Sequence, residues 1–387
     1  MIRDPQALHA LLADVREFTQ TVCLPLEAQI DAHDAMPEAV VDGMRRLGLF
    51  GHSIPAAYGG AGLTTEELAL VNIEVSQASP TFRARFGGNT GIAAESLIVD
   101  GTEAQRQRYL PRMASGELTG CFALTEPEAG SDAISLTTTA RREGDDFVLN
   151  GHKCFITNAP IAGLFTVFAR TEAGRGAAGI SAFLVERGTP GLTTPEPPRK
   201  MGQHGSPVGE VILQDCRVPA SSVVGGEALL GQGFRTAMKT LNKQRINLAG
   251  LCVGPAIRLV HEMVARARAR QQFGQAIGEF QLVQQMIAES NTEVHAARAL
   301  VLETARKRDA GEDVTMEASM CKVFATEMCG RVADRAVQVF GGSGYMAGNV
   351  AERFFRDVRL FRLYEGTTQI HWLNIAKRTL AAGGAGV

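Results

Sequence analysis

The chain has 387 residues, with 39 Lys and Arg against 41 Asp and Glu and a formal net charge of −2. That length exceeds what one hydrophobic core usually supports and predicts two or three packed subdomains. The charge balance leaves no global basic field for nucleic acid or anionic lipid, and 45 % hydrophobic with 21 % charged residues is a globular composition, not a disordered one.

At the N-terminus, Leu8, Leu11, Leu12, Val15, Phe18 and Val22 recur every three or four residues. This predicts a helix over 4–28, with Pro25 near its end. A second helix is expected over 37–47, stopped at Gly48. Residues 58–62 read YGGAG, a loop, after which Thr64 or Thr65 caps a helix starting at Glu66. One more helix runs from Glu103 and is broken by Pro111 and Gly116.

The texture changes near residue 119. Short β-like runs appear at 147–149, 165–170, 180–185 and 209–213, with an apolar strand-like stretch at 121–123. Turn signals at 144–145, 150–151, 174–179 and 190–191 separate them. No helices intervene, so an antiparallel sandwich or barrel is expected rather than parallel βαβ units. Helical periodicity returns after Gly233, over 234–272, 279–309, 314–340 and 366–381. In the second of these Leu282, Met286, Val294, Ala297 and Val301 line one stripe, and four long helices with short links predict a bundle. A small Gly/Ala tail covers 381–387. The reading is an α+β chain with domains at 1–118, 119–226 and 227–387.

The seven cysteines are odd in number and form no C-x-x-C, which fits a reducing, cytoplasmic setting better than a disulfide framework or zinc site. The opening MIRDPQALHA lacks a signal-peptide stretch. No run of about 18 apolar residues predicts a membrane span. His152 and His204 are isolated in the strand region.

Three segments carry candidate chemistry. Gly341-Gly342-Ser343-Gly344 follows a helical pattern rather than a strand, so it fails the context of a dinucleotide fingerprint. It is either a glycine-terminated helix or a turn that lets backbone approach a pyrophosphate. LTEPEAGSD at 124–132 is either a plain structured turn or a set of hydroxyls and amides for a ligand. CFITN at 154–158 adds an aromatic ring beside a hydroxyl. In RLYEGTTQIH at 362–371, Glu365 is either a solvated charge next to a helix capped by Thr367 or Thr368, or a functional carboxylate.

Taken in order, the segments FALTEPEAGSD (122–132), LNGHKCFITN (149–158), RQQFG (270–274), QVFGGSGY (338–345) and YEGTTQI (364–370) resemble the acyl-CoA dehydrogenase family over almost the full chain. The resemblance implies that family's fold: an N-terminal α-helical domain, a central antiparallel β-domain and a C-terminal four-helix bundle. It implies FAD between the β-domain and the bundle, partly across a subunit interface. Phe122, Leu124, Thr125 and Ser131 would then flank the isoalloxazine or thioester. Phe155 would pack on the ring, where many members carry tryptophan, and Thr157 would lie near flavin N5. Arg270, Gln272 and Phe273 would meet the pyrophosphate and adenine side of a neighbouring subunit's FAD. Gln338 and Gly342 would meet the adenosine diphosphate, and Thr367 and Gln369 likewise. Asn242 and Arg245 would face CoA, with asparagine where aspartate is common. Tyr364 and Gly366 would border the substrate.

Glu365 matches the family's base. Gln244 occupies the region where isovaleryl-CoA dehydrogenase carries its base, and it cannot serve as one. The implied activity is α,β-dehydrogenation of a short or branched acyl-CoA to the trans-2-enoyl-CoA, by a homotetramer, or a dimer of similar interface, that passes electrons to electron-transfer flavoprotein. A substrate with a distal carboxylate is also open. Arg83, in SPTFRARFGG (79–88), resembles the pocket arginine of glutaryl-CoA dehydrogenase, an apt carboxylate reader, with Ser76 or Glu74 nearby as companion. The same scaffold admits an acyl-CoA oxidase, whose usual extra C-terminal domain is not seen, and a flavin monooxygenase, which usually lacks Y-E-G-T. It also admits a non-enzymatic nucleic-acid-binding relative, which would want a basic extension.

Overall fold

The computed structural model describes residues 1–383, so the last four residues of the Gly/Ala tail lie outside the described residues. Asp4 caps α1 (Pro5–Phe18), its carboxylate accepting from the Gln6 and Ala7 amides. The helical segment runs on past residue 28 to His33. The chain passes through one π turn, Thr19–Cys23, and Pro25 falls in the first turn of α2 (Leu24–His33), where a missing N–H costs no helical bond. α3 (Glu38–Arg46) ends before Gly48, which takes φ +64. Thr64 and Glu67 form a reciprocal capping box on α4 (Thr65–Val75). Two helices missed by periodicity follow, α5 (Pro80–Gly87) and α6 (Ile92–Asp100). Pro111 is carried inside α7 (Glu103–Ala114) without ending it; Gly116 at φ +76 ends the segment.

The strands are β1 (Gly120–Ala123), β2 (Thr139–Glu143), β3 (Asp146–Thr157), β4 (Leu164–Arg170), β5 (Ile180–Glu186), β6 (Leu192–Thr193) and β7 (Val208–Pro219). They pair in the order β1-β4-β2-β3-β7-β6, with β5 on β4. The β2·β3, β3·β7, β4·β5 and β6·β7 pairs are antiparallel, whereas β1 runs parallel to β4. Asn150-Gly151, read as a turn, lies inside β3, at a register shift against β7. A Cβ on Gly151 would lie 2.2 Å from Thr138 Oγ1, so only glycine fits there. A second register shift falls between Lys153 and Ile156 and contains Phe155.

The bundle is α8 (Gly233–Ala269), α9 (Gln281–Asp309), α10 (Thr315–Phe340) and α12 (Thr368–Ala381), with the unforeseen α11 (Val350–Val358) before the last. A two-residue ribbon, β8 (Gln271–Gln272) and β9 (Gln275–Ala276), joins α8 to α9. The α9 stripe buries Val294, Ala297 and Val301, but Leu282 faces outward. Among the described residues α8 alone is long and apolar enough to cross a membrane, and 67 % of its apolar window is buried inside the protein. The buried Glu27–Arg353 pair, 2.6 Å apart, and the Ser79–Asp357 hydrogen bond, 2.8 Å, tie the N-terminal helices to α11.

Candidate active site

A cavity of about 400 Å³ opens where three parts of the chain meet. α5 contributes Arg83, Ala84 and Gly87. The sheet contributes Phe122, Leu124, Thr125, Ser131, Phe155 and Thr157. The bundle contributes Gln244, Arg245, Tyr364, Glu365 and Gly366.

Glu365 holds φ +54, a left-handed backbone that costs a side-chain-bearing residue about 1–3 kcal/mol and persists only where surroundings impose it. Its neighbour Gly366 takes φ +94, where a Cβ would lie 2.9 Å from His371 Nε2. The Glu365 side chain is half-buried in the cavity wall, yet its Oε2 is shielded from solvent and has no hydrogen-bond partner among the described residues. Burial raises the Glu365 carboxyl above the usual range, opposed first by Arg83, then by Lys322 and Arg245. Arg245 Nη1 donates to Asn242 Oδ1 at 2.6 Å, and burial lowers its pKa. Burial also pushes the Tyr364 phenol far up, so it stays neutral.

The opposite wall is built by the 124–132 turn. Glu126, at its centre, accepts from Lys153 Nζ at 2.7 Å, from the Thr137 and Thr138 amides at 2.6 and 2.9 Å, and from both their hydroxyls. Burial would raise this carboxyl, but Lys153 and Thr138 outweigh it and hold it at about 2. Lys153 also donates to the Leu124 carbonyl at 3.2 Å, and the Cys154 amide donates to that of Thr125. The turn is thereby pinned against β3. Just beyond, the irregularity in β3 puts Phe155 at φ +57 and swings its ring outward, 73 % exposed at the cavity. Bulges that re-aim a side chain are common beside active sites.

Three domain families match the chain: the acyl-CoA dehydrogenase N-terminal domain over residues 5–117, the middle domain over 121–216 and the C-terminal domain over 231–380. The chain belongs to the acyl-CoA dehydrogenase family. It is 39 % identical to a 3-(aryl)acrylate reductase of Clostridium sporogenes, over 94 % of this chain and 96 % of the relative. It is 37 % identical to the human mitochondrial short-chain specific acyl-CoA dehydrogenase, over 97 % and 90 %. Butyryl-CoA dehydrogenase from Megasphaera elsdenii superposes with a TM-score of 0.93 at 32 % identity, covering 98 % of this chain and 100 % of that one. This acyl-CoA dehydrogenase is accordingly an oxidoreductase of the CH–CH bond of acyl-CoA thioesters, in a family of flavoproteins.

Not every expected residue reaches the dehydrogenase cavity. Arg270, Gln272 and Phe273 sit at the β8–β9 ribbon, with Phe273 at φ +51 and 94 % exposed. Gln338 and Gly342 are exposed at the end of α10, and Gln369 is exposed on α12. Thr367 is the N-cap of α12, its hydroxyl accepting from the Ile370 amide at 3.4 Å. Asn242 lines a separate groove with Lys239 and Arg308 and touches the cavity only through Arg245. Neither companion suggested for Arg83 stands in the cavity wall: Glu74 pairs with Arg16 at 2.7 Å, and the buried Ser76 hydroxyl bonds the Asn72 carbonyl. His152 pairs with Glu210 and His204 with Asp31, and the described residues hold no cluster of metal-ligating groups.

Sequence reasoning missed Glu126, Lys153, Lys322 and His371. One signal was available for Lys322. It shares the apolar stripe of α10 with Ala318, Cys321, Ala325 and Cys329, and a lone charge on such a stripe needs a buried partner.

Proposed function

We propose that this enzyme oxidises the Cα–Cβ bond of a short or branched acyl-CoA, with Glu365 as the base that removes the α-proton. One observation carries the reading: an unpartnered, shielded carboxylate oxygen on a strained backbone, in the cavity where all three parts of the chain meet. A thioester α-proton is a weak acid, so its base must be positioned and its pKa raised toward neutrality. Burial of Glu365 acts in that direction, and the three facing cations keep it ionisable. The enolate oxygen that develops needs a hydrogen-bond donor, a role for the Glu365 backbone amide.

The residues present fit FAD. The outward ring of Phe155, the Thr125 and Thr157 hydroxyls and the apolar Phe122 and Leu124 give a planar face with polar points beside Ser131. FAD, when bound, supplies the acceptor for the β-hydrogen as hydride. Phe155→Ala is expected to weaken FAD retention roughly tenfold, from lost stacking and buried area. Fluorescence of released flavin during dilution checks this, and unchanged retention would remove Phe155 from the site.

Arg270, Gln272, Phe273, Gln338, Gly342, Thr367 and Gln369 lie away from the cavity of their own chain. The exposure of all of these but the half-buried Thr367 supports a homotetramer in which they contact the adenosine diphosphate end of FAD bound to another copy. Arg245, oriented by Asn242, faces the CoA side, and Tyr364 and Gly366 border the thioester. Electron-transfer flavoprotein is the proposed acceptor. Anaerobic titration with butyryl-, isobutyryl-, octanoyl- and glutaryl-CoA tests the whole reading: bleaching of the flavin by one or more thioesters supports it, and no bleaching by any refutes the activity.

A second reading concerns the acyl group. Arg83 lines the cavity, meets Asn72 Oδ1 only at 3.5 Å, and pairs with no carboxylate at ion-pair distance among the described residues. A guanidinium so placed suits a substrate carboxylate. On that reading Arg83→Met lowers kcat/KM for glutaryl-CoA by about 10²-fold while butyryl-CoA changes by less than about threefold. Equal losses on both would assign Arg83 to Glu365 instead.

A further inference from the structure

Behind Glu365, on the side away from the cavity, two side chains hold its backbone. Lys322 of α10 has no exposed surface, and its Nζ donates to the Gly366 carbonyl at 2.7 Å. His371, in the first turns of α12, is equally buried, and its Nε2 lies 3.1 Å from the Glu365 carbonyl. A carbonyl only accepts, so Nε2 carries the ring proton, and Nδ1 is left buried without a partner. Burial, with Arg245 and Lys322 close by, holds the His371 pKa at about 3, which makes the neutral tautomer the working form. Burial lowers Lys322 to about 8, so it remains a cation at neutral pH.

Two consecutive carbonyls, of Glu365 and Gly366, are thus each tied to a different helix. They flank the left-handed turn that aims the carboxylate. Neither carbonyl lies within a helix, so each needs a donor from elsewhere. If Glu365 relaxed to an ordinary backbone conformation, both carbonyls would swing away from their donors.

We propose that Lys322 and His371 are positioning residues for the dehydrogenation: together they clamp the Glu365–Gly366 backbone so that the base points into the cavity, and Lys322 also supplies part of the charge the base faces. The groups facing Glu365 come from every neighbouring element: Arg83 from α5, Arg245 and the Cys252 thiol from α8, Lys322 from α10, His371 from α12 and Tyr364 from its own loop. Of the three cations, Arg83 and Arg245 line the cavity, while Lys322 is bonded to the carbonyl of the next residue, Gly366.

The inference rests on Glu365 being the base, and the test keeps the two apart. Holoenzymes carrying Lys322→Met, His371→Leu, His371→Gln and Glu365→Gln are compared for flavin content, kcat, KM and the pH profile of kcat. Lys322→Met is expected to lower kcat roughly tenfold or more with KM within about threefold of wild type, because the base is misaimed and the substrate contacts are not. Its acid limb moves to higher pH, since Lys322 lowers the Glu365 pKa and its removal raises it. His371→Leu loses kcat comparably with the limb unmoved, because the ring it removes is neutral. His371→Gln, whose amide can donate to the same carbonyl, recovers most of the rate. If Lys322→Met does not accumulate as folded holoenzyme, the His371 pair decides alone. Wild-type kcat in both Lys322→Met and His371→Leu, beside an inactive Glu365→Gln, overturns the clamp and leaves the base standing. His371→Gln as slow as His371→Leu also overturns it. Turnover by Glu365→Gln overturns the base and the clamp with it.

Discussion

Glu365→Gln is expected to cut kcat by about 10²–10⁴-fold, the range that a positioned general base contributes. The substitution keeps shape and volume, so the cavity, the flavin contacts and the left-handed backbone at residue 365 should survive it. What it removes is the basic carboxylate that takes the proton. Anaerobic rapid mixing with a thioester that bleaches the wild type checks this, and bleaching at the wild-type rate would sink the assignment. As the proposed base, the same carboxylate should set the pH profile. Its deprotonated form is the active one and its pKa is raised by burial, so turnover falls as pH drops through a point above the ordinary carboxylate range. The linkage to stability has the opposite sense. A carboxyl whose folded pKa exceeds its unfolded one favours folding at low pH, and that contribution is lost as pH rises through the folded value. At neutral pH the wild type therefore carries a buried charge that glutamine lacks. Glu365→Gln is expected to melt at a slightly higher temperature than the wild type while turning over far more slowly, the exchange of stability for activity typical of a strained site.

The features legible in the sequence were those with a long period or a dense local signature. α8, α9 and α10 each run for more than seven turns, and repetition over that length leaves little ambiguity. α5, α6 and α11 have eight or nine residues, barely two turns, and no period can be read from so few positions. Pro111 and Asn150-Gly151 misled, because a proline or a glycine is read from its type while its effect depends on its place: here the first is carried inside α7 and the second marks a bulge packed on Thr138. The site divides along similar lines. Glu365, Thr125, Thr157 and Phe155 stand inside compact motifs, and the cavity collects them. Lys322 reaches the Gly366 carbonyl beside the base across 44 residues of chain, and Lys153 reaches Glu126 across 27. Such contacts exist only once helices and strands have packed, and a single sequence carries no sign of them beyond a charge where apolar residues belong.

The Glu126–Lys153 pair should prove the least replaceable contact outside the reacting groups. Both side chains are shut off from solvent, at 3 % and 0 % exposure, and lie 2.7 Å apart. Bringing two ions into such a place is costly, and the compensation comes from their mutual attraction and from the bonds of Thr137, Thr138 and Leu124. Removing one partner strands the other. Glu126→Gln leaves the Lys153 ammonium without its counter-ion and is expected to cost about 3–5 kcal/mol, read as a lower urea midpoint and melting temperature. Glu126→Leu with Lys153→Met removes both charges and should recover much of that loss. The acid dependence follows from the depressed carboxyl. A folded pKa of about 2 lies below the ordinary unfolded value, so the pair's contribution is complete above the unfolded pKa and drains away as pH falls toward about 2. The wild type should lose stability through that window and Glu126→Gln should not show this part of the loss. The consequence extends to function, because the turn pinned by Glu126 carries Leu124, Thr125 and Ser131 on the cavity wall. Glu126→Gln should therefore shed FAD faster than wild type at temperatures where its bundle is still helical by circular dichroism. A variant with wild-type melting and wild-type flavin retention would mean that the turn holds its shape without the ion pair, leaving the threonine bonds as its fastening.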